Sequence, residues 1–249
     1  MSTLAFEPNL ALKWVVVLAH PDDEVCVGGW LNRLRNAGAQ VDVIWLHSTK
    51  IRRSESDQAC DLIGIEKHRR HFFEATDGHV AEDLPIVRPS VLTLLERLQP
   101  DRILCLTFEQ GHPDHDSVCF LSHYAACRLE SRPQVVEFPI YHTYLTRFQI
   151  LAEFANPDGE EILELTPEEI KVKKALVKCY PSQTLQRNIR AFGLYRRLIR
   201  KPLDLAVRER AKLIGVRDFT TPNYSGQTRD KLLAHPTWKK WRQAIELLD

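Results

Sequence analysis

Short apolar runs alternate with amphipathic stretches over the first two-thirds of the chain. The runs that fit buried or partly buried strands lie at 14–19, 41–46, 71–73, 103–108 and 134–144. Stretches with apolar positions at helical spacing lie between them, at 25–36, 52–63, 87–98 and 115–129. Strands that alternate with helices in this way form a parallel sheet. The pattern therefore predicts an α/β fold, with a Rossmann-like, mostly parallel sheet and helices on both faces.

The last third is less regular. Thr166-Pro167-Glu168-Glu169 combines a capping threonine, a proline at the first helical position and a glutamate at the third, which predicts a helix to about Lys178. The stretch 187–217 is basic, and Asp204 and Glu209 are its only acidic residues. It fits either a solvated surface helix or a dock for an anionic partner, such as a phosphorylated or lipid-linked sugar or a membrane surface.

We predict two regions from this change in pattern. Residues 1–183 would form the catalytic α/β core. Residues 184–249 would form a smaller mixed extension that packs on the core and takes part in substrate selection.

The composition disfavours several classes of protein. The 249 residues include 34 Lys or Arg and 33 Asp or Glu, so no overall field favours nucleic acid. The six cysteines include no C-x-x-C pair, which disfavours zinc fingers and disulfide-rich secreted domains. The apolar run at 14–19 is too short for a transmembrane segment or a signal-peptide core. We therefore expect a cytoplasmic protein with no nucleic-acid partner and no transmembrane segment.

Two clusters of metal-competent residues follow two of the predicted strands. Ala19-His20-Pro21-Asp22-Asp23-Glu24 follows the first strand, and Gly111-His112-Pro113-Asp114-His115-Asp116 follows the run at 103–108. Ligands of open α/β sheets bind beyond the carboxyl ends of the strands. Either cluster alone fits ordinary helix capping. Because both fall at the same edge of the sheet, the pair favours a metal site.

The residue types fit catalytic zinc, which takes three protein ligands and leaves one position open. His20 and Asp23 can converge across one turn, and either His112 or His115 can complete the triad. Asp22 is the nearest free carboxylate to act as general base. The other histidine, oriented by Asp114, could stabilise an oxyanion.

The two motifs, A-H-P-D-D-E and then G-H-P-D-H, resemble those of the PIG-L/LmbE-like family of zinc-dependent de-N-acetylases. Weaker likenesses extend the resemblance over residues 14–183, at 52–64, 73–78 and 174–183. The resemblance implies that Zn²⁺ is bound by three of the motif residues, namely His20, Asp23 and His115. It further implies that Asp22 is the base, that His112 stabilises the oxyanion or protonates the leaving amine, and that Asp114 orients a histidine.

Other positions match the family pattern less closely. Arg52 and Asp77 resemble positions that contact the sugar, although Arg52 also fits a solvated helix residue, with Arg53 as the relevant neighbour. Gln110 stands where some relatives place a tyrosine that assists the oxyanion. Either that help is absent, or it comes from elsewhere in the chain. The candidates are Tyr141, His142 and Tyr144, which equally fit ordinary residues of a partly exposed strand.

We predict a zinc-dependent hydrolase that removes the N-acetyl group from an N-acetylglucosamine-type small molecule, with phosphorylated and lipid-linked conjugates among the possibilities. Two alternatives stay open. One is a zinc amidase acting on a thiol conjugate or an antibiotic intermediate. The other is a non-catalytic sugar-binding module. A serine hydrolase and a dinucleotide site are disfavoured because the chain has neither G-x-S-x-G nor G-x-G-x-x-G.

Overall fold

The computed structural model describes residues 4–7, 9–145 and 150–248. Seven strands form a mixed sheet in the order β3-β2-β1-β4-β5-β9-β8, and β6 pairs with β7 in a separate two-stranded sheet. The strands are β1 (Lys13–Leu18), β2 (Gln40–Trp45), β3 (Arg70–Phe72), β4 (Arg102–Leu106), β5 (Gln134–Phe138), β6 (Tyr141–His142), β7 (Ile150–Leu151), β8 (Glu161–Glu164) and β9 (Arg208–Ile214).

Helices cover both faces of this sheet. They are α1 (Gly28–Asn36), α2 (Lys50–Ile63), α3 (Val80–Leu98), α4 (Pro113–Arg128), α5 (Pro167–Leu176), α6 (Leu185–Leu198), α7 (Gly226–Ala234) and α8 (Pro236–Glu246). Short 3-10 helices span Asp23–Val27, Lys67–Arg69 and Val177–Cys179. The predicted α/β fold class is confirmed. No helix in the described ranges is long and apolar enough to cross a membrane.

The strand order reverses between β1 and β4. The chain runs outward through β1, β2 and β3, and α3 then returns it to β4 on the other side of β1. Right-handed crossovers place α1 and α2 on one face and α3 and α4 on the other. The contacts agree, because α5 packs against α1 and α2 whereas α8 packs against α3 and α4. Such a reversal opens a crevice at the carboxyl ends of the strands.

The central strands are buried on both faces. Every residue of β4, and every residue of β1 except its first, is buried, as expected for parallel strands covered by helices on both sides. Glycine 64 ends α2 in the left-handed conformation, with φ at 87°. Thr166 and Glu169 form the predicted capping box at the start of α5.

Three sequence-based predictions need correction. The stretch 134–144 is not one strand, because Pro139 separates β5 from β6 and cannot donate a ladder hydrogen bond. Helix α3 begins at Val80 and not at residue 87 as predicted, so that Pro85 lies inside the helix. The basic stretch forms a helix only over α6, and its second half is β9, a strand of the central sheet.

Glu209 on β9 ties three elements together beneath the first motif. Its Oε1 and Oε2 accept the N–H groups of Gly29 at 2.8 Å and Trp30 at 2.7 Å, at the start of α1. Its Oε1 also accepts a hydrogen bond from Lys173 Nζ of α5, at 2.8 Å. Both charged side chains are buried. A side chain at Gly29 would crowd Leu165 and Glu209, which explains the glycine at this contact.

Replacing Glu209 by glutamine should destabilise the fold by about 3–5 kcal/mol, because Lys173 would remain buried without its counter-ion. Denaturant unfolding of both proteins measures this difference. The matched control is Glu164→Gln on β8, whose pair with Arg208 is partly exposed. The control should cost less than about 1 kcal/mol. Equal costs for the two variants would contradict the role of the buried pair.

Candidate metal centre and active site

The two motifs lie side by side where the sheet reverses its strand order. β1 and β4 are parallel neighbours, from Trp14 opposite Arg102 to Val17 opposite Cys105. The loop after β1 carries the first motif, and the loop after β4 carries the second, in which Pro113 begins α4. Because both loops leave the same edge, their side chains face one crevice.

His20, Asp23 and His115 come together at the floor of this crevice. Their candidate ligand atoms all lie within 4.8 Å of one another, and all three residues are buried. The backbone fixes Asp23, since its Oδ2 accepts the N–H groups of Ala19 at 3.1 Å and of His20 at 2.8 Å. Its Oδ1 lies 3.4 Å from Nε2 of His115.

The environment of His115 tests whether this group fits a metal ion. Its Nε2 is buried and makes no hydrogen bond among the described residues. A buried polar atom without a partner is unfavourable, and a cation bound between this nitrogen and the carboxylate of Asp23 would satisfy both. The donor set of two imidazoles and one carboxylate fits zinc.

The carboxylate of Asp114 makes its histidine hydrogen bond with His20 and not with the second-motif histidine that the chemistry of the motifs first suggested. This fully buried carboxylate accepts hydrogen bonds from His20 Nε2 at 3.0 Å and from the N–H groups of Gly78 at 2.7 Å and Val80 at 3.0 Å. With Nε2 donating to Asp114, Nδ1 of His20 is left to bind a metal. Burial lowers the pKa of His20, but the bonds to Asp114 and Asp77 raise it to about 10.

His20, His112 and Asp114 form a second group with metal-competent atoms close together. This group fits a metal less well. The carboxylate of Asp114 already accepts three hydrogen bonds, and Nδ1 of His112 accepts the N–H of Asp114 at 3.2 Å as the cap of α4. The first group, by contrast, contains the nitrogen of His115 that makes no hydrogen bond among the described residues.

His112 stands above the floor with its ring held by this cap. The ring centroid of His112 lies 5.2 Å from that of His20 and 5.1 Å from that of His115. Because Nδ1 accepts a backbone N–H, the neutral ring carries its proton on Nε2. Burial, together with the neighbouring imidazoles, lowers the pKa of His112 to about 4. A neutral imidazole with a free N–H is suited to donate a hydrogen bond to an oxyanion.

Asp22 lies between His20 and Asp23 in the sequence, and its backbone is strained. Its φ of 111° is in the left-handed region, which a residue other than glycine rarely adopts. Asp22 lines the cavity above the floor. Burial, and then the negative charges of Asp23 and Glu24, raise the pKa of Asp22 well above its ordinary value. A cation bound beside it would act in the opposite direction.

Glu24 anchors the first motif to the segment 180–183. Its carboxylate accepts hydrogen bonds from the hydroxyl of Tyr180, from Trp45 Nε1 at 3.3 Å and from the N–H of Asp22 at 3.2 Å. Burial raises the pKa of Glu24 to about 7. The stretch 174–183, one of the weaker likenesses to the family, is therefore packed against the first motif.

Arg52 and Asp77 lie at the rim of the site. Nη2 of Arg52 donates to Oε1 of Gln183 at 2.5 Å, and its Nη1 lies 3.9 Å from Oδ2 of Asp77. Asp77 is half-exposed and reaches His20 Nε2 at 3.2 Å. The adjacent Arg53 does not line the cavity, and its guanidinium binds Ser48 and Glu74 instead. Of the two arginines, Arg52 is therefore the one in the site.

A cavity of about 710 Å³ opens above these residues. Tyr141 and Leu151 of the small β6–β7 sheet line one side. The far walls come from α5, the segment after it, α6 and the loop before β9, with Lys174, Val177, Lys178, Leu185, Ile189, Arg190 and Leu205. The stretches 174–183 and 187–217 stand out in the sequence, but no local pattern shows which of their residues face the cavity, because they lie far from both motifs in the chain.

Gln110 points away from the site, and Tyr141 lies beside it. Oε1 of Gln110 accepts the N–H of Asn223 at 2.9 Å. The ring of Tyr141 lies 4.9 Å from that of His115 and 6.4 Å from that of His112. The second motif reaches this position through Gly111, where a Cβ would overlap the carbonyl oxygen of Tyr141.

The other two candidates for the missing tyrosine are partly buried, and each has one buried polar atom that makes no hydrogen bond within the described ranges. These atoms are the hydroxyl of Tyr144 and Nδ1 of His142. Neither residue lines the cavity. Of the three, Tyr141 is therefore the one positioned at the site.

A third cluster of metal-competent residues, Cys119, His123 and Glu137, is a closed ion-pair network. The carboxylate of Glu137 accepts hydrogen bonds from His123 at 2.9 Å, from Thr107 and from the guanidinium of Arg217. Burial opposes ionisation, but these partners lower the pKa of Glu137 to about 2. Because Arg217 supplies the counter-charge, the cluster needs no cation.

Residues 15–126 match the family described as PIG-L: GlcNAc-PI de-N-acetylase. This range runs from β1 into α4 and contains both motifs. Residues 15–126 form a PIG-L family domain. The resemblance noted from the motifs is therefore confirmed. The PIG-L domain contains the three candidate metal ligands as well as Asp22, His112 and Asp114, whereas much of the cavity wall lies outside it.

Solved structures extend the likeness beyond the PIG-L domain. A triple mutant of a deacetylase of the teicoplanin biosynthetic pathway has a TM-score of 0.62 at 18% identity, covering 83% of this chain and 99% of that one. The zinc-inhibited form of a teicoplanin deacetylase has a TM-score of 0.58 at 15% identity, covering 82% and 100%. N,N'-diacetylchitobiose deacetylase from Pyrococcus horikoshii has a TM-score of 0.52 at 18% identity, covering 86% and 90%.

At these identities the three structures establish a shared fold. No curated protein matches the chain in sequence.

Proposed function

We propose that this protein is a zinc-dependent N-deacetylase that acts on an N-acetylated amino sugar. The observation that carries the proposal is the convergence of His20, Asp23 and His115 within a PIG-L domain, with His20 and Asp23 lining a cavity. The structurally similar deacetylases of teicoplanin and of N,N'-diacetylchitobiose support the same reaction type.

His20 through Nδ1, Asp23 through Oδ1 and His115 through Nε2 would hold the ion. Zinc in such a site lowers the pKa of a bound water to about 7 and polarises a substrate carbonyl. Asp114 would keep His20 in the tautomer that leaves Nδ1 free.

Asp22 would take the proton of the attacking water. Its carboxylate lines the cavity beside the ligands. The backbone N–H groups that fix Asp23 do not hold it. The N–H of His112 Nε2 would donate to the oxygen that becomes negative as the amide carbon turns tetrahedral. The proton held by Asp22 would then pass to the leaving amine as the C–N bond breaks, which releases acetate and the free amino sugar, while His112 stays neutral throughout.

Tyr141 would supply the second donor to the oxyanion, in place of the tyrosine that some relatives carry two residues before His112. The position of its ring beside His112 and His115 supports this role. A phenol is a hydrogen-bond donor at neutral pH. Gly111 supports it as well, because a larger residue would push the second motif away from Tyr141.

Tyr141→Phe should lower kcat by about 10²–10³-fold, the usual loss for one oxyanion donor, and leave zinc content unchanged. Steady-state acetate release measures the rate. Tyr144→Phe is the matched control, because its hydroxyl is buried without a partner and is not in the cavity, so its rate should match the wild type. A Tyr141→Phe enzyme with wild-type kcat would remove Tyr141 from the mechanism.

The amino sugar would bind at the rim, with Arg52, Asp77 and Gln183 as hydrogen-bonding partners for its hydroxyl groups. The cavity continues beyond this rim between Lys174, Lys178 and Arg190. Its volume and these cations support a conjugate whose second part is anionic, such as a phosphorylated or lipid-linked sugar. Residues 184–249, which contribute α6 to this wall, would then select the second part.

Acetate release from a panel of N-acetylglucosamine derivatives tests the proposal. The panel holds free, glycosidic, phosphorylated and lipid-linked forms, a thiol conjugate and an antibiotic intermediate. Release from any sugar derivative by the metal-loaded protein is expected, with the anionic conjugates fastest. Release from the thiol conjugate or the antibiotic intermediate alone would favour the amidase alternative. Binding without any release would favour a sugar-binding module.

A further inference from the structure

Helix α6 forms a wall of the cavity with one face and exposes its other face to solvent. Leu185 and Ile189 line the cavity, and Phe192 and Arg196, further along the same face, are buried. Arg196 also pairs with Glu153 at 2.7 Å. The inner face therefore holds the helix to the protein, and the outer face is available to a partner.

The outer face combines two leucines with two arginines. Leu194 and Leu198 are one turn apart and are 61% and 74% exposed. With 3.6 residues per turn, Arg187 lies in line with this pair, and Arg197 lies on one flank. Both arginines are exposed, and their side chains form no ion pair with the described residues. We call these four residues the outer face of α6.

The sequence around this face is basic. No acidic residue occurs between Glu169 and Asp204 in the sequence, and Arg200 and Lys201 continue the basic run beyond the helix. Asp204 is itself paired with Arg210, at 2.8 Å. This local cationic surface stands out from a chain whose overall charge is only +1.

We propose that the outer face of α6 docks the protein on an anionic lipid bilayer. An interfacial helix places its apolar side chains at the boundary between headgroups and acyl chains, while arginines keep their charge among the phosphates. Leu194 and Leu198 supply the apolar part, and Arg187 and Arg197 supply the charge. Each cation near an anionic surface strengthens binding about fivefold.

The same features argue against two other occupants. A twofold contact between copies of this chain would set these arginines against one another, which is unfavourable. A single-stranded nucleic acid would be expected to meet aromatic side chains on which bases stack. The aromatic residues of α6, Phe192 and Tyr195, lie on the buried side of the helix or at its edge instead.

Docking through this face would place the cavity next to the lipid surface, because the inner face of the same helix lines it. The inference does not depend on the reaction proposed above, since it concerns binding alone. If both hold, a lipid-linked amino sugar could reach the metal site from the bilayer surface.

Flotation of the full chain with lipid vesicles tests the inference. We expect the protein to float with phosphatidylcholine vesicles that contain about 30% phosphatidylglycerol, and not with phosphatidylcholine alone. Higher salt should weaken the association. Leu194→Gln/Leu198→Gln and Arg187→Gln/Arg197→Gln should each bind at least about tenfold more weakly than the wild type.

Two control variants carry matched changes elsewhere on the surface. Ile86→Gln/Leu247→Gln removes apolar residues that are 77% and 82% exposed, and Lys231→Gln/Lys239→Gln removes exposed charges from α7 and α8. Both controls should bind like the wild type, and circular dichroism should show that all variants are folded.

Three results would overturn the inference. The first is absence of wild-type binding to the anionic vesicles, and the second is equal binding by the α6 variants and the controls. The third is a wild-type dimer in solution that dissociates in Leu194→Gln/Leu198→Gln, which would assign the outer face to a second copy.

Discussion

Asp22→Asn should release acetate about 10²–10⁴-fold more slowly than the wild type while binding the same amount of zinc. The amide keeps the shape of the side chain but cannot accept the proton of the attacking water. Asparagine also tolerates the left-handed backbone found at this position, where φ is 111°. The loss should therefore lie in kcat and come from chemistry rather than from a distorted loop.

Single-turnover acetate release, together with the metal content of the same samples, separates the possible outcomes. A second variant, Asp22→Ala, should be equally slow, because neither residue can act as a base. Wild-type turnover by Asp22→Asn would show that another group takes the proton. Loss of zinc from the variant would instead place Asp22 among the ligands.

His115→Ala should weaken zinc binding by more than about 100-fold, because it removes a direct ligand. Asp114→Asn should weaken binding by about 10–100-fold, the range for a residue that orients a ligand. His112→Gln should leave zinc affinity unchanged, since His112 belongs to the alternative group that fits a metal less well. Competition with a chelator of known affinity measures all three.

The order of these three losses distinguishes the two candidate metal groups. If His20, His112 and Asp114 held the ion, His112→Gln would lose zinc and His115→Ala would keep it. The proposed ligand set predicts the reverse. Thermal melting of the metal-free proteins controls for loss of the fold, which all three variants should retain.

Periodicity was sufficient to predict the central strands because burial on both faces leaves a nearly continuous apolar run, as in β1 and β4. It failed where local chemistry competes with the pattern. Pro139 divides a stretch that reads as one strand. Helix α3 begins before Pro85 because buried Val80, Ala81 and Leu84 stabilise a turn that its prolines disfavour.

The neighbourhood of the two motifs could be predicted because both follow strands of one parallel sheet. Their direct contact depends on the strand order, in which β1 and β4 are neighbours across the switch point. The sequence alone does not specify that order. Nor could it show that Asp114 bonds to His20, because two histidines of the motifs lie within reach and the loop geometry selects between them.

The position of Tyr141 was less predictable still. It depends on the break at Pro139 and on the close approach that Gly111 allows, neither of which produces a periodic pattern. The far wall of the cavity was unpredictable for the same reason, because α6 reaches the cavity by packing against β7 and the segment after α5. Contacts between distant segments therefore limit what could be read from the sequence.

Acetate release during metal titration tests the central claim most directly. Chelator-treated protein is given increasing amounts of zinc in the presence of an N-acetylglucosaminyl conjugate, and acetate and free amine are both measured. We predict no release without metal, equal amounts of the two products, and a maximum at one zinc per chain. Release that is the same with and without metal, or no release at any zinc level although one ion is bound, would contradict the assignment.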